Sequence, residues 1–440
     1  MTATGSGLDA RFAAEMGVLL GPDFPSDIAL AVSGGGDSMA MLTLAHNWTR
    51  VWGLRLHVVT IDHGLRQESA EEARFVGQEC AALGHPHSIL RWRWDGRGNL
   101  MAAAREARLR LIEGWRGPIA HVLFAHTEDD LAETFLARLA RGAGVEGLSA
   151  MAPKRPVRVA PLAAEGQGVQ PAGGEGYDII RPCLGMRRAE LRHYLSVLKG
   201  RWVEDPTNED PRYDRARYRG LLPRLAEEWL GPDILAEAAR RQSRARDALT
   251  ARALEVWGRI GAEDTRTGDI TFDRDGLAAT ERDTQLRLLS AALSLIGGTG
   301  YRPREAPLEQ LLDRLLSGGS GTLNGCEAMA RRDKLYLFRE LAAVPPEPLP
   351  ATVGTLWDGR WQLTETRDGA EIAALGETGW AALPEENRIH PHRAARALPA
   401  LWRDGALLAC PALGLGAAAI LRYAPFGQVG MGLPELMRLR

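Results

Sequence analysis

Residues 27–38 read Asp-Ile-Ala-Leu-Ala-Val-Ser-Gly-Gly-Gly-Asp-Ser, and this stretch decides the fold. Asp27–Val32 is a short apolar run with strand character. A glycine-rich turn, Ser33-Gly-Gly-Gly-Asp-Ser38, follows it. Met39, Leu42 and Ala45 then recur at helical spacing as far as Trp48. A strand that enters a helix through such a turn places the turn at the carboxyl end of the strand, where open α/β sheets bind ligands. Three glycines let backbone N–H groups approach an anion without a Cβ between them. The helix N-terminus adds partial positive charge. The hydroxyls of Ser33 and Ser38 can donate to phosphate oxygens, and Asp37 can hold Mg2+. Ser33, Gly34, Gly35, Gly36, Asp37 and Ser38 are therefore candidate nucleotide-binding residues. The turn is not a Walker A loop, because no Gly-Lys-Ser/Thr follows, and it is not GxGxxG.

Outward from this turn, strands and helices alternate. Leu54–Ile61 reads as a second buried strand. Ser69-Ala-Glu-Glu72 has the capping-box form and opens a helix to about Leu83. His87–Trp94 is a weaker third strand, and Asn99 can cap a helix to Trp115. Ala120–Ala125 is a fourth strand, and Thr127 can cap a helix to Arg141. The alternation predicts an α/β fold, a doubly wound parallel sheet covered on both faces. Pro153–Gly176 is rich in Pro, Gly, Ala and Gln and reads as a loop or insertion without evident chemistry. Arg187–Leu198, Pro232–Gly258, Asp283–Leu295 and Leu308–Leu316 are helix candidates, and Asn324–Glu340 alternates like a hairpin. Ala342–Pro350 holds Pro345, Pro346, Pro348 and Pro350 and reads as an extended linker. The expected organisation is a catalytic domain over 1–218, a helical middle domain over 219–341, and a small mixed or β domain over 351–440.

Composition excludes several classes. The chain has 440 residues, 45% hydrophobic and 25% charged, which is ample for buried cores and argues against disorder. No window is apolar enough for a membrane span, and residues 1–10 lack a secretory pattern. Cys80, Cys183, Cys326 and Cys410 are far apart and form no CxxC. A reduced, cytoplasmic protein is expected. Net charge is −2, so no global basic footprint exists. Residues 181–224, however, hold 11 Lys+Arg against 6 Asp+Glu, a local excess of +5. The chain's only lysines are Lys154, Lys199 and Lys334. Arginine therefore carries the positive charge, in the geometry that suits phosphate.

Several side chains converge on the ligand edge of the predicted sheet. Arg105 and Arg108 share one helix face and can reach a phosphate or a base, though a solvated basic face has the same spacing. Asp130 and Glu133 share a face at the exit of the fourth strand. They can bind Mg2+, hold an ammonium group or accept a proton, whereas charge complementarity at a helix N-terminus explains one acid better than both. His63 and His126 follow strands at equivalent ends, which suits phosphate or nucleotide contact rather than metal. Arg215, Arg217 and Arg219 alternate, as in an extended segment that presents one face to phosphates.

Ser33–Ser38 matches the SGGxDS motif of the PP-loop ATP pyrophosphatases. The resemblance implies cleavage of ATP between its α and β phosphates. Downstream lie Asp62-His-Gly-Leu-Arg66, Asn99-Leu-Met-Ala-Ala-Ala-Arg-Glu-Ala-Arg108 and His126-Thr-Glu-Asp-Asp-Leu-Ala-Glu-Thr134. Trp202-Val-Glu-Asp-Pro-Thr-Asn-Glu-Asp210 and Tyr213-Asp-Arg-Ala-Arg-Tyr-Arg219 follow. Over roughly residues 26–225 the set closely resembles the tRNA(Ile)-lysidine synthetases, which join lysine to the wobble cytidine of an isoleucine tRNA. Leu398-Pro-Ala-Leu-Trp402 is the best match beyond it. The resemblance implies ATP and Mg2+ as cofactors. Its implied partners are free L-lysine and isoleucine tRNA with a CAU anticodon, and it further implies a homodimer. It makes Asp37, Arg105, Arg108, Asp130 and Glu133 the expected catalytic residues, with Asp37 and Asp130 on the metal. Ser33–Ser38, His63 and His126 are expected on the nucleotide, and Arg181, Asn208, Arg215, Arg217 and Arg219 on the tRNA. Ala216 and Tyr218 stand where the family commonly has Asn and Ile, which puts any contact of that Asn in doubt.

Two rival readings remain. A PP-loop tRNA thiolase needs a persulfide cysteine or cluster ligands. A tRNA-binding protein with a regulatory nucleotide loop has no need of Asp37, Asp130 and Glu133.

Overall fold

The computed structural model describes residues 7–64, 69–159, 161–165, 167–170, 176–204, 214–299 and 302–439. Its contacts divide it into two compact units, 1–246 and 247–440.

The first unit opens with helix α1 (Leu8–Leu20), which the sequence reading did not separate, and strand β1 (Asp27–Ala31). There follow α2 (Gly36–Trp52), β2 (Arg55–Asp62), α3 (Ser69–Leu83), β3 (His87–Arg91), α4 (Leu100–Trp115), β4 (His121–Phe124) and α5 (Glu128–Leu139). After the short α6 (Val145–Leu148) come β5 (Lys154–Val157), β6 (Tyr177–Ile180), α7 (Arg188–Val197), α8 (Asp214–Glu227) and α9 (Pro232–Ile260).

The sheet order is β3-β2-β1-β4-β6-β5, parallel except for β5 at the edge. β1 carries one set of side chains to each face. Ile28 and Leu30 join the core built with Phe12 and Met16 of α1, Leu42 and Leu44 of α2, Val76 of α3 and Leu191 of α7. Ala29 joins the opposite core with Leu111 and Ile112 of α4, Val122, Phe124 and Ile179. Both faces are covered, so the strand is apolar from Ile28 onward. The chain winds from β1 outward to β3 and returns to place β4 on the other side of β1. The crevice between the carboxyl ends of β1 and β4 is thus the switch point where such sheets bind ligands.

Three expectations change in this unit. Residues 153–176 are not simply a loop: Lys154–Val157 form β5, antiparallel to β6. Leu162 N–H also donates to the Arg110 carbonyl (2.9 Å), which ties the segment to α4. β6 itself was not foreseen, because four residues of Tyr-Asp-Ile-Ile become a strand only through pairing with β4 and β5. Arg215, Arg217 and Arg219 are helical, not extended. Arg and Ala are good helix formers, and the helix buries Leu222 against Phe135 and Leu235. In α8, Arg219 donates to Glu133, and Arg217, two residues earlier, is exposed on another face.

The second unit departs from the helical middle region expected there. Besides helices Arg282–Gly297 and Glu305–Leu316, it holds a five-stranded antiparallel sheet. Three of its strands, Gly261–Asp264, Asp269–Asp273 and Ser320–Leu323, are not apparent in the sequence. Charged residues mask the alternation in Gly261–Asp264 and Asp269–Asp273, although Ile270 and Phe272 are fully buried. The Asn324–Glu340 hairpin forms as Cys326–Arg331 paired with Lys334–Arg339. Beyond it lie two small antiparallel sheets of four and three strands. Among the described residues no helix is long and apolar enough to cross a membrane.

Candidate active site

A cavity of about 310 Å3 lies at the β1/β4 switch point, the size of a small-ligand pocket. The Ser33–Ser38 turn forms its floor. Gly34 has φ +88°, a conformation open to glycine but strained for other residues, and its carbonyl accepts from Val203 N–H (2.9 Å). The 202–204 segment thus backs the turn. Ser38 Oγ donates to the Gly35 carbonyl (2.9 Å) and receives Ser33 N–H (3.3 Å). Both serine hydroxyls stand at the amino end of α2, where anions bind.

His63 follows β2 and lines the wall, edge-on to Trp92. Burial, and then the nearby Arg108 charge, push its pKa down to about 4. The ring is neutral near pH 7, and its buried Nδ1 has no partner among the described residues. His126 follows β4 and stacks on Phe124. Its Nδ1 accepts from Arg181 Nε (3.2 Å), so the neutral ring carries its proton on Nε2. Arg108 lines the same wall with its guanidinium over the Phe124 ring.

The acids meet at one cation. Arg188, near the start of α7, bonds Asp37 (3.0 Å), Asp130 (3.2 Å) and Glu133 (2.9 Å) together. Burial opposes the Arg188 charge, but the three carboxylates outweigh it and raise its pKa. Glu133 is fully buried and also accepts from Arg219 Nε (2.8 Å). Asp130 closes the capping box of α5: its Oδ2 accepts from Thr127 N–H (2.8 Å) and Oγ1 (2.9 Å). Burial pushes the Asp37 carboxyl above its ordinary range, and Arg188 pulls it partly back.

Ser33, Gly35, Gly36, Asp37, Ser38, His63, Arg108, His126, Asp130 and Arg219 all line the cavity. Other expected residues do not. Arg105 is exposed on α4, Glu133 sits behind Asp130, and Arg217 is exposed on α8. Arg181 is buried beneath His126. Asn208 and the Arg215 side chain lie outside the described residues. Arg188 and Arg192 also line the cavity and were missed. They are four apart on a foreseen helix, the same one-face signal that singled out Arg105 and Arg108.

Among the described residues no three His, Cys, Asp or Glu side chains form a metal site by themselves. Asp37 nevertheless fits a shared Mg2+, because its Oδ1 is a buried hard donor with no partner. Asp130 fits poorly, since Oδ2 is committed to the cap and Oδ1 to Arg188. The four cysteines are buried and unpaired, burial raises their thiol pKa values, and none lines the cavity.

The model of a PP-loop domain family matches residues 8–225. A tRNA(Ile)-lysidine synthase of Ruegeria pomeroyi is 39% identical over 400 residues, covering 89% of this chain and 90% of that protein. One from Hyphomonas neptunium is 35% identical over 348 residues, covering 77% and 88%. Among solved structures, the U34-tRNA thiolase NcsA of Methanococcus maripaludis overlaps 54% of this chain and 78% of its own at 14% identity, with a TM-score of 0.41. With such identity across nine-tenths of a curated relative, the chain belongs to the tRNA(Ile)-lysidine synthase family.

Proposed function

We propose that the β1/β4 cavity binds ATP, adenylates the wobble cytidine of an isoleucine tRNA with a CAU anticodon, and passes that carbon to L-lysine. Cytidine O2 attacks the α-phosphorus and pyrophosphate leaves. The lysine ε-amine, having lost its proton, then attacks C2 of the activated base, and AMP leaves with the oxygen.

The observation that carries this reading is the placing of opposite charges around one turn. Backbone N–H groups, Ser33, Ser38, Arg108 and Arg192 face the space a triphosphate would fill. Such fixed donors stabilise charge that builds on the phosphorus and the leaving group. Mg2+, held by Asp37 Oδ1 and phosphate oxygens, would supply further charge neutralisation. Neutral His63 can donate or accept one hydrogen bond without adding charge. The second group is acidic. Asp37, Asp130 and Glu133 gather on Arg188, and the Asp130 carboxylate at the cavity wall suits the lysine ammonium. Asp130 reaches the cavity from this group and shares its face of α5 with Glu133, so that pair is the candidate to accept the ammonium proton.

The test is incubation with ATP, labelled L-lysine and CAU isoleucine tRNA. Label should enter the tRNA, and Asp37→Ala should abolish pyrophosphate release while tRNA binding stays near normal. Binding without pyrophosphate release by the unaltered chain would favour a regulatory nucleotide loop instead. Sedimentation of the same protein tests the homodimer that the resemblance implies.

A further inference from the structure

Beside the cavity, on the α4 face of the sheet, several arginines gather close enough to repel one another. In the β5–β6 ladder Arg155 stands opposite Ile179, and Arg181 lies two residues beyond Ile179. Residues directly opposite, and residues two apart, project to the same face of a sheet. Arg155 and Arg181 therefore emerge beside Val122 and Phe124, the face that α4 covers. Arg105 lies on α4 one turn before Arg108, whose guanidinium rests on the Phe124 ring.

Among the described residues none of Arg105, Arg155 and Arg181 has a carboxylate partner. Arg181 donates to His126 Nδ1 (3.2 Å) and the Ala152 carbonyl (2.6 Å). Arg155 has a buried Nε with no acceptor among the described residues. Arg105 makes no hydrogen bond or ion pair among the described residues. Arg138, held by the carbonyls of Gly147 (2.8 Å) and Ser149 (3.2 Å), adds a fourth charge near Arg105. Exposure rises along the group: Arg181 is 5% exposed beside the cavity wall, Arg155 is half-buried, and Arg105 is open to solvent.

We propose that Arg181, Arg155 and Arg105 form a seat for successive backbone phosphates of the RNA strand whose base enters the cavity. This inference rests on the RNA substrate proposed above. The seat runs from a cavity wall to the surface, as a continuous polyanion requires, whereas a triphosphate would end on the Ser33–Ser38 turn. Burial and mutual repulsion lower the pKa of Arg155, and lower that of Arg181 to about 10, so an anion here relieves a cost already present. Strand β5 supplies one of the three groups, which gives the 153–176 segment a binding role.

The test follows the affinity of a labelled anticodon stem–loop RNA through a KCl series, with a non-hydrolysable ATP analogue titrated in parallel. Arg105→Gln and Arg155→Gln should each flatten the log–log salt slope by about 0.7–0.9 while analogue binding is unchanged. Arg155→Lys should restore the slope, and Arg74→Gln, at an exposed arginine of α3, should not alter it. Unchanged slopes in both Gln variants would overturn the proposal. Weakened analogue binding with an unchanged RNA slope would also overturn it and place the group in the nucleotide site. If Arg155→Gln does not fold, the exposed Arg105→Gln decides alone. Binding is read without turnover, so a failure of lysine transfer by the unaltered chain would sink the functional reading and not this one.

Discussion

Asp37 is under opposed demands. Burial raises its pKa, and Arg188 keeps it usable as an anion. Replacing Arg188 by Gln removes the shared partner of three acids, so adenylation should fall by roughly 100-fold or more, as when a preorganised charge is lost. Pyrophosphate release measured against pH should show an acidic limb displaced upward. His63 gives a second residue-scale prediction. Its pKa of about 4, against an ordinary 6.5, should appear directly in an NMR titration. Between those values the unfolded chain binds a proton that the folded chain does not. Acidification through pH 6.5 to 4 therefore removes stability, up to about 3 kcal/mol, and His63→Gln should be less sensitive in that window. At this scale the Ser33–Ser38 turn was legible, because local chemistry fixes what a strand–glycine–helix junction does. Arg188 was not legible. Its importance comes from three acids at positions 37, 130 and 133 meeting it in space, and a helical arginine carries no local sign of that.

Among the elements, α5 shows how a cap can position chemistry. Thr127 and Asp130 close the box that starts the helix, and the same Asp130 faces the cavity. Thr127→Ala should cost about 1 kcal/mol in urea unfolding, typical of a lost N-cap. It should also weaken lysine transfer more than nucleotide binding, because it loosens Asp130. Thr127 and Asn99 were both readable as caps from sequence, and both caps form. The alternating arginines of α8 mimic strand periodicity, while the packing of Leu222 against Phe135 and Leu235 that settles the helix depends on other elements. The helical placing separates Arg217 from Arg219. Arg219 serves Glu133, and Arg217 faces away from it. Arg217→Ala should accordingly weaken tRNA binding in a salt-dependent way with ATP binding intact, measured by the same KCl series.

At the scale of the whole molecule, near-neutral charge hides strongly local fields. The first unit concentrates cations around a sheet edge. The second holds a buried ion group in which Asp358 accepts from both Arg339 (2.7 Å) and Arg360 (2.7 Å). Arg360 is 2% exposed, so removing the acid leaves buried charge unpaired. Asp358→Ala should lower the stability of residues 247–440 by about 3–5 kcal/mol, read by hydrogen exchange there. The order of βα units was legible because short connections and periodicity are local. The five-stranded sheet of the second unit was not, because the short strands Gly261–Asp264, Asp269–Asp273 and Ser320–Leu323 declare themselves only when paired. The most direct test of the central claim is to supply ATP labelled at its α-phosphate with CAU isoleucine tRNA, first without lysine and then with it. The expected result is label on the RNA and free pyrophosphate in the first step, then AMP on adding lysine. Labelled ADP with orthophosphate, or no transfer of label to the RNA, would contradict it.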